Sequence, residues 1–518
     1  MIGLGGIMRK PMYGVLFLAL AGGLFLFRDY GMTWDEPLFY KYADALGYAY
    51  NPANWFGGHF DLNQSYGPSG DDHKTRGPGY LLLAREPVYA LEYLQLDAIS
   101  AWHFVNFLTY ILGIYFLYRL CLRFVHEAAA VATAAFFAAQ PLLWGHAFIN
   151  PKDVPFLVFM LGAVWLGFRM IDNLKTNVAA RTAIFPLHVV LSAALLGIAS
   201  ANRVLGPMAG LLVFAYFLGR GPTRRGAAWL AFYVVVALAI MFAAWPYLWE
   251  SPLRFADVFR LMSDNPTNLQ VLFGDQIYRA FELPRRYLPF YLLAQLTEPV
   301  WPLFGASLVA IILRMRRRDH RSLEAGLILA WLAVPVAYVV IARPPLYDGM
   351  RHFLFVLPPV FVFGAIGLDI LFTKLHGVPV KAAFAALLVL PGILGIVRLH
   401  PYEYAYFNSF VGGTGGVFRH YETDYWLTCY KEAVERFDAT VHAPTRLFVH
   451  REPAVAAPYA TSNVSVLDER GAASDIRSGD YILVSTRTNE DRQTFHEAPE
   501  LLSVGRAGAT FCIIKTIP

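Results

Sequence analysis

Eleven runs of mostly apolar residues divide the sequence, and they constrain its fold more than any other feature. A helix needs about 20 mostly apolar residues to cross a bilayer. Only 16% of the residues are charged, whereas soluble domains carry about 25%. We therefore predict an all-α polytopic membrane domain. The predicted spans are 12–28, 102–119, 128–149, 154–172, 183–200, 204–219, 227–248, 290–313, 325–342, 352–373 and 380–397.

The loops between these runs alternate in charge. With the N-terminus in the cytoplasm, every short inner loop contains Lys or Arg, as the positive-inside rule requires. We therefore predict a multi-pass protein of the cell membrane with a cytoplasmic N-terminus and a retained first helix. Basic residues of the inner loops include Arg9, Lys10, Arg181, Arg220, Arg224, Arg225, Arg316, Arg317 and Arg318.

The composition changes after His400. Strand-like runs at 445–450, 464–468, 480–486 and 509–517 follow a helical candidate at 430–437, which is typical of a small α/β domain. We predict a transmembrane domain of residues 1–397, with outer loops at 29–101 and 249–289, followed by an extracytoplasmic α/β domain of residues 398–518. That domain contains Cys429 and Cys512. An oxidising compartment would permit a disulfide between them, but we expect two free thiols.

Acidic residues occur where predicted spans meet the outer side. Asp35 and Glu36, in GMTWDEP, follow the first span. Neighbouring carboxylates can hold a divalent cation or accept a proton. A capping box with Thr33 as N-cap and Glu36 three residues later is the alternative interpretation. Asp153, in HAFINPKDVPF, begins the fourth span, where a helix cap and a role in a site are both open.

Basic residues occur in outer turns, against the usual charge trend. Arg343 and Arg351 flank the turn in IARPPLYDGMRHF, and Arg203 lies in SANRVLG. A guanidinium can bind phosphate through two parallel hydrogen bonds, so we predict that these three arginines bind a donor phosphate. Contact with lipid headgroups is the alternative. Candidate substrate-binding residues nearby are Tyr347, Asp348 and His352, with His73 and Arg76 of GDDHKTRGPG, a segment that would otherwise be a solvated loop.

Together these segments resemble the polytopic glycosyltransferases with the GT-C fold. The resemblance is closest to the protein O-mannosyltransferase and aminoarabinose-transferase branch, where an acidic motif like GMTWDEP follows the first membrane helix. HAFINPKDVPF, RPPLYDGMRHFLFVLPP and PYEYAYFNSFVGG followed by YETDYW look like segments of uncharacterised bacterial members. The similarity covers roughly residues 10–430. HKTRGPG departs from the histidine-proline-proline run common in relatives.

The resemblance implies an inverting transferase that moves a hexosyl or pentosyl group from a polyprenyl-phosphate carrier. The acceptor would be a lipid, a glycan or a protein on the outer face. The resemblance also implies catalytic carboxylates at Asp35, with Glu36 beside it, and at Asp153. Whether a divalent cation binds at Asp35 and Asp153 is open.

Two other classes of protein compete with this interpretation. A transporter or lipid flippase also places polar groups among spans, but usually in mid-span and often on paired broken helices. A receptor or scaffold would lose no catalysis when Asp35 changes. Basic residues fall in short clusters between apolar runs, so we expect membrane lipids and no nucleic acid among the partners.

Overall fold

The computed structural model describes residues 11–68, 70–175, 185–263, 267–314 and 320–518. Of the basic residues used for the orientation, Arg9, Lys10, Arg181 and the run 316–318 lie outside these ranges. The helices are α1 Pro11–Leu26, α2 Glu36–Tyr50, α3 Pro52–Phe56, α4 Gly70–His73, α5 Gly79–Tyr93, α6 Ala98–Cys121, α7 Glu127–Ala138, α8 Pro141–Ile149, α9 Asp153–Lys175, α10 Phe185–Asn202, α11 Pro207–Gly219, α12 Arg224–Ala243, α13 Arg254–Ser263, α14 Tyr287–Ala294, α15 Val300–Arg314, α16 His320–Ala342, α17 Leu357–Lys374, α18 Val378–Leu399, α19 Gly413–Val417, α20 Tyr430–Asp438 and α21 Pro453–Ala456.

The helices are those of a multi-pass membrane protein. Seven described helices are long and apolar enough to cross a membrane, and α7 with α8, bent by 62°, makes an eighth if the two form one span. The shorter apolar helices α1, α11 and α15 lie where the remaining three spans are predicted. The predicted all-α membrane domain is therefore confirmed.

The eighth predicted span, 290–313, is divided into two helices. α14 ends at Ala294 and α15 begins only at Val300. The polar residues between them bond to other segments: the Thr297 N–H donates to Gln140 (3.1 Å), and Glu298 accepts the Ser409 N–H (2.7 Å). Because these residues are used for tertiary contacts, the helix is interrupted where the apolar pattern suggested a single run.

The C-terminal residues form a mixed five-stranded sheet. Its strands are β3 Thr445–Val449, β4 Val464–Asp468, β5 Tyr481–Ser485, β6 Glu500–Arg506 and β7 Ala509–Thr516, whereas β1 Gln270–Phe273 and β2 Gln276–Arg279 form a separate hairpin. The strand order of the sheet is β4-β3-β5-β7-β6, with β3 parallel to β4 and β5, and β7 antiparallel to β5 and β6. The predicted small α/β fold is confirmed, although β6 was not predicted.

The expectation of two free thiols is wrong. A disulfide joins Cys429, which immediately precedes α20, to Cys512 in β7, with the Cα atoms 6.2 Å apart. The apolar face of α20, including Val434 and Phe437, is buried in the same cluster as Phe511 and Cys512. This packing brings together two cysteines that are 83 residues apart in sequence.

Residues 404–426 connect the two parts of the chain. Tyr404, Phe407, Tyr425 and Trp426 are buried in the same apolar cluster as the membrane helices, whereas Leu427 and most of the later apolar residues pack in the cluster of the sheet. The segment that joins the C-terminal sheet to the helices is thus buried against both.

Candidate active site

Four helix boundaries converge on one cavity of about 410 Å³. Asp35 immediately precedes α2, Asp153 begins α9, Arg203 follows α10, and Arg351 starts a short 3-10 helix that leads into α17. Asp35, Arg203 and Arg351 line the cavity, and Asp153 contacts both arginines. Residues from distant parts of the sequence therefore form one cluster.

Asp35 and Glu36 point to different surroundings. Glu36 is fully buried, where Oε2 accepts the Thr33 N–H (2.5 Å) and Oε1 accepts the Tyr40 hydroxyl (2.6 Å) and lies 3.0 Å from His103 Nε2. The bond to Thr33 is one half of the capping box that the sequence suggested. Asp35 makes no capping bond, and its side chain is 21% exposed and lines the cavity. The capping interpretation thus holds for Glu36, whereas the Asp35 carboxylate has no part in capping and faces the cavity.

Asp153 is likewise not used to cap its own helix. Asn150 does that, because its Oδ1 accepts the N–H groups of Lys152 (3.2 Å) and Asp153 (2.8 Å). The Asp153 carboxylate, 2% exposed, forms an ion pair with Arg203 and lies 3.9 Å from Arg351. Its charge therefore holds the arginines at the cavity wall.

Arg351 is the centre of the cluster. Its Nη1 donates to Asp35 (2.9 Å) and its Nη2 contacts Asp348 (2.8 Å), while its guanidinium lies 4.8 Å from the Trp426 ring. A guanidinium held by two carboxylates and an aromatic face has little freedom to reorient. Arg351 is therefore fixed against the carboxylate that lines the cavity.

Behind Arg351, buried charges continue into the C-terminal domain. Asp348 has φ 57°, a left-handed conformation that Asp tolerates better than most residues, and it accepts a hydrogen bond from Arg487 (2.7 Å). Arg487 also donates to Glu422 (3.0 Å). Burial raises the pKa of Glu422 to about 7. Burial alone would lower the pKa of Arg487, but Glu422 and Asp348 raise it, so the guanidinium keeps its charge.

Basic residues predominate among the charged groups that line the cavity. Among the described residues of the lining, Arg76, Lys152, Arg203 and Arg351 are basic, whereas Asp35 is the one acidic residue. Arg76 can reach the cavity because the residue after it is Gly77. A Cβ atom at that position would clash with the Ala201 carbonyl at the end of α10, so a larger residue could not pack there. A cavity with this charge is suited to an anion.

The structure brings most of the predicted site residues together. The cavity is lined by Asp35, Arg76, Arg203, Tyr347, Arg351 and His352, and Asp153 and Asp348 contact its arginines. Three predicted residues lie elsewhere. Glu36 is enclosed as described, His73 is buried against the rings of Phe39 and Tyr42, and Arg343 is exposed and donates to the carbonyls of Glu282 and Leu283.

Three residues of the cluster were not among the predicted ones. Lys152 stands beside Asp153 in NPKD, and Glu422 lies in YETDYW, so both occur in segments that carried the family resemblance. Arg487 lies in the loop after β5 and has no such signal. Only the fold brings it next to Asp348, 139 residues away in sequence.

Whether Asp35 and Asp153 could bind a divalent cation depends on the contacts that their carboxylates already make. Asp35 is paired with Arg351, and Asp153 with Arg203. Among the described residues, no group of three or more His, Cys, Asp and Glu side chains could hold a metal ion. A cation at Asp35 and Asp153 would therefore have to displace arginine contacts.

Comparison with known proteins gives the fold a precedent. No protein-family model and no curated protein matches the chain. Among solved structures, apo ArnT from Cupriavidus metallidurans is 15% identical, with a TM-score of 0.51 over 97% of this chain and 98% of that one. AglB, an archaeal oligosaccharyltransferase from Archaeoglobus fulgidus solved with an inhibitory peptide and a dolichol-phosphate, is 11% identical, with a TM-score of 0.52 over 93% of this chain and 70% of that one.

The chain has the fold of these two proteins. The GT-C fold expected from the sequence resemblance is thereby confirmed, including the C-terminal part, because the ArnT match spans nearly the whole of both chains. At this level of identity the match establishes the architecture. The chemistry has to be argued from the residues around the cavity.

Proposed function

We propose that this protein is an integral membrane glycosyltransferase. It transfers a sugar from a polyprenyl-phosphate donor to an acceptor at the outer face of the membrane, with inversion at C1. One observation carries the proposal: a carboxylate, Asp35, faces a cavity whose other charged lining residues, in the part of the chain that the structure describes, are basic. Such a cavity has a proton acceptor for the acceptor group and cations for the departing phosphate.

The reaction balances with these groups. The acceptor atom attacks C1 of the donor sugar while its proton passes to Asp35. The bond between C1 and the phosphate oxygen breaks, and the lipid phosphate leaves with the electron pair, held by Arg351, Arg203 and Lys152. Attack on the face opposite the leaving group inverts C1. Asp153 takes part by holding Arg203 and Arg351 in place.

The cavity also offers apolar surface for a lipid. Leu205, Phe259 of α13, Met262 of α13 and Tyr338 of α16 contribute to its lining. Phe259 is 51% exposed and Tyr338 is 48% exposed, so apolar side chains reach from the cavity to the surface. Basic groups at one wall and apolar groups at another suit an amphipathic donor. AglB, which shares the fold, was solved with a dolichol-phosphate, and that supports a ligand of this class.

The outer-face location rests on the charge pattern of the loops. The disulfide in the C-terminal domain supports it, because disulfides persist in oxidising compartments. Reporter fusions after residues 225, 320 and 377 should read cytoplasmic, and a fusion after residue 420 should read outer. An outer signal at residue 320 would reverse the orientation.

The experiment that tests the function is transfer by purified protein from a panel of radiolabelled polyprenyl-phosphate sugars. We expect one donor class to support transfer, and Asp35→Asn to abolish it. Asp44→Asn is the matched control, because Asp44 lies in α2, the helix that Asp35 precedes, and accepts a hydrogen bond from Tyr89. Movement of the lipid across a vesicle membrane without transfer of the sugar would favour the transporter alternative instead.

A further inference from the structure

A loop of the C-terminal domain inserts among the charges behind the cavity. It comprises residues 486–492, between β5 and β6, and three of its side chains are anchored by arginines outside it. Arg419 donates to Asp491 (2.6 Å) and Asn489 (3.1 Å), and Arg451 donates to Glu490 (2.6 Å). These contacts fix the loop where Arg487 enters the site.

Arg487 is the residue of this loop that contacts Asp348 and Glu422. Its side chain is 1% exposed, and its partners Asp348 and Glu422 have no exposed side-chain surface. Nη2 donates to Asp348 (2.7 Å), Nε donates to Glu422 (3.0 Å), and the guanidinium lies 4.4 Å from the ring of Trp34. Arg487 thus contacts the turn that carries Arg351 and the residue that precedes Asp35.

Carboxylates and arginines alternate along a chain of contacts that runs from the C-terminal domain to the cavity. Asp35 bonds to Arg351, Arg351 to Asp348, Asp348 to Arg487, and Arg487 to Glu422. Asp348 therefore shares its charge between two guanidiniums. If Arg487 were removed, Arg351 would be the one remaining partner of Asp348 in this chain of contacts. The Arg351 guanidinium would then be drawn toward Asp348 and away from Asp35. A buried carboxylate that loses a partner attracts its remaining one more strongly.

We propose that Arg487 is a positioning residue for the reaction: by holding Asp348, it keeps Arg351 against Asp35, so the C-terminal domain completes the active site. The inference rests on the proposed function for its catalytic part. Arg487 does not line the cavity, and it acts through Asp348 and Arg351.

The first test is kinetic. Arg487→Met should lower kcat by about tenfold or more and change the donor KM by less than about threefold, and Arg487→Lys should recover much of kcat because it restores the charge. The matched control is Arg446→Met, which breaks the contact with Asp480 in the same domain. It should lower the melting temperature and leave kcat unchanged. Wild-type kcat in Arg487→Met would overturn the inference.

The second test does not need transfer. Of the three cysteines, Cys121 is buried and the other two are joined, so Asp35→Cys introduces one accessible thiol beside Arg351. We expect the pH midpoint of its alkylation by iodoacetamide to rise by about one unit when Arg487→Met is added, because Arg351 stabilises the thiolate less well. Arg446→Met should leave the midpoint unchanged, and an unchanged midpoint with Arg487→Met would contradict the inference.

The two tests separate this inference from the proposed function. If the wild type transfers no sugar, the proposed function fails and the alkylation midpoint alone decides the positioning role. If Arg487→Met does not yield folded protein, the double variant Glu422→Gln/Arg487→Gln removes one charge of each sign and serves in both measurements. A double variant with wild-type kcat and an unchanged midpoint would overturn the inference.

Discussion

Two clusters of arginine and carboxylate occupy the two ends of α9. The cavity cluster, defined as Asp35, Asp153, Arg203, Asp348 and Arg351, lies at the start of the helix. The far-end cluster, defined as Arg123, Asp172, Tyr216, Arg220 and Glu324, lies roughly 28 Å away at 1.5 Å per residue. Both have an arginine held by two carboxylates: Arg351 by Asp35 and Asp348, and Arg123 by Glu324 (2.9 Å) and Asp172 (2.8 Å).

The two clusters differ in charge balance and in access. In the far-end cluster two arginines face two carboxylates, and the Tyr216 hydroxyl lies 2.7 Å from both Asp172 and Glu324, within hydrogen-bonding distance of each. The cavity cluster is joined by Arg76 and Lys152, which line the same space. Among the described residues, the cavity lining has four basic side chains and one acidic one, and a wall with this charge is suited to an anion, whereas the far-end cluster pairs its charges among its own members. Paired arginine and carboxylate alone therefore do not identify a site.

The largest expected effect is on turnover, and it should follow the loss of a carboxylate from the cavity cluster but not from the far-end cluster. Asp35→Asn should reduce turnover by about 100-fold or more, with expression and donor binding near those of the wild type, because the proton acceptor is lost. Asp172→Asn should leave turnover per folded molecule unchanged and lower the melting temperature. Turnover and melting temperature measured on the same preparations make the comparison. Wild-type turnover in Asp35→Asn would end the proposed role.

The arginines provide the next contrast. Arg351→Ala should weaken binding of the donor by about 1.5–3 kcal/mol, through loss of charge-assisted contacts to its phosphate. Arg351→Lys should recover little, because an ammonium lacks the planar fork. Arg123→Ala should leave donor affinity unchanged and lower the free energy of unfolding by about 3 kcal/mol, since it leaves two carboxylates without their shared partner. Equilibrium binding and thermal unfolding measure the two effects. Normal donor binding by Arg351→Ala would place the phosphate clamp elsewhere, with Arg203 as the next candidate.

Glu36 is a buried carboxylate beside the cavity whose oxygens already have hydrogen-bond partners. Its substitution should therefore affect stability and not turnover, as we expect for the carboxylates of the far-end cluster. Glu36→Gln should lower the free energy of unfolding by about 1–3 kcal/mol, because the bonds to Thr33, Tyr40 and His103 are weakened. Turnover per folded molecule should change by less than about threefold. Glu86→Gln is the control, since its side chain is 73% exposed. A loss of turnover as large as that of Asp35→Asn would assign Glu36 to the chemistry.

Some of these distinctions could be predicted from the sequence. The length of the apolar runs predicted the membrane helices, and the predicted outer position of Arg351, against the usual charge trend, made it a candidate. The different roles of Asp35 and Glu36 could not be assigned in this way, because adjacent residues at a helix start differ by the direction in which each side chain points. Arg487 could not be identified either. Its contact with Asp348 depends on how the sheet packs on the helices, and no local pattern encodes that packing.

The smallest expected effect concerns Arg343, which the sequence grouped with Arg351. Its side chain is exposed and donates to the carbonyls of Glu282 (3.4 Å) and Leu283 (3.3 Å), and it is not among the residues that line the cavity. Arg343→Ala should therefore change donor affinity by less than about twofold and stability by less than about 0.5 kcal/mol.

Arg343→Ala sharpens the comparison because both arginines belong to one turn and carry the same charge. If net charge near the membrane surface were enough to bind the donor, the two alanine variants would lose similar affinity, and the loss would shrink as salt screens exposed charges. If the cavity binds the phosphate, only Arg351→Ala should have a large effect, and salt should alter it little, because the Arg351 side chain is only 7% exposed. Donor affinity of both variants at low and high ionic strength decides between these outcomes. A tenfold loss in Arg343→Ala at low salt would extend the phosphate site to the end of α16 and contradict its assignment to the cavity alone.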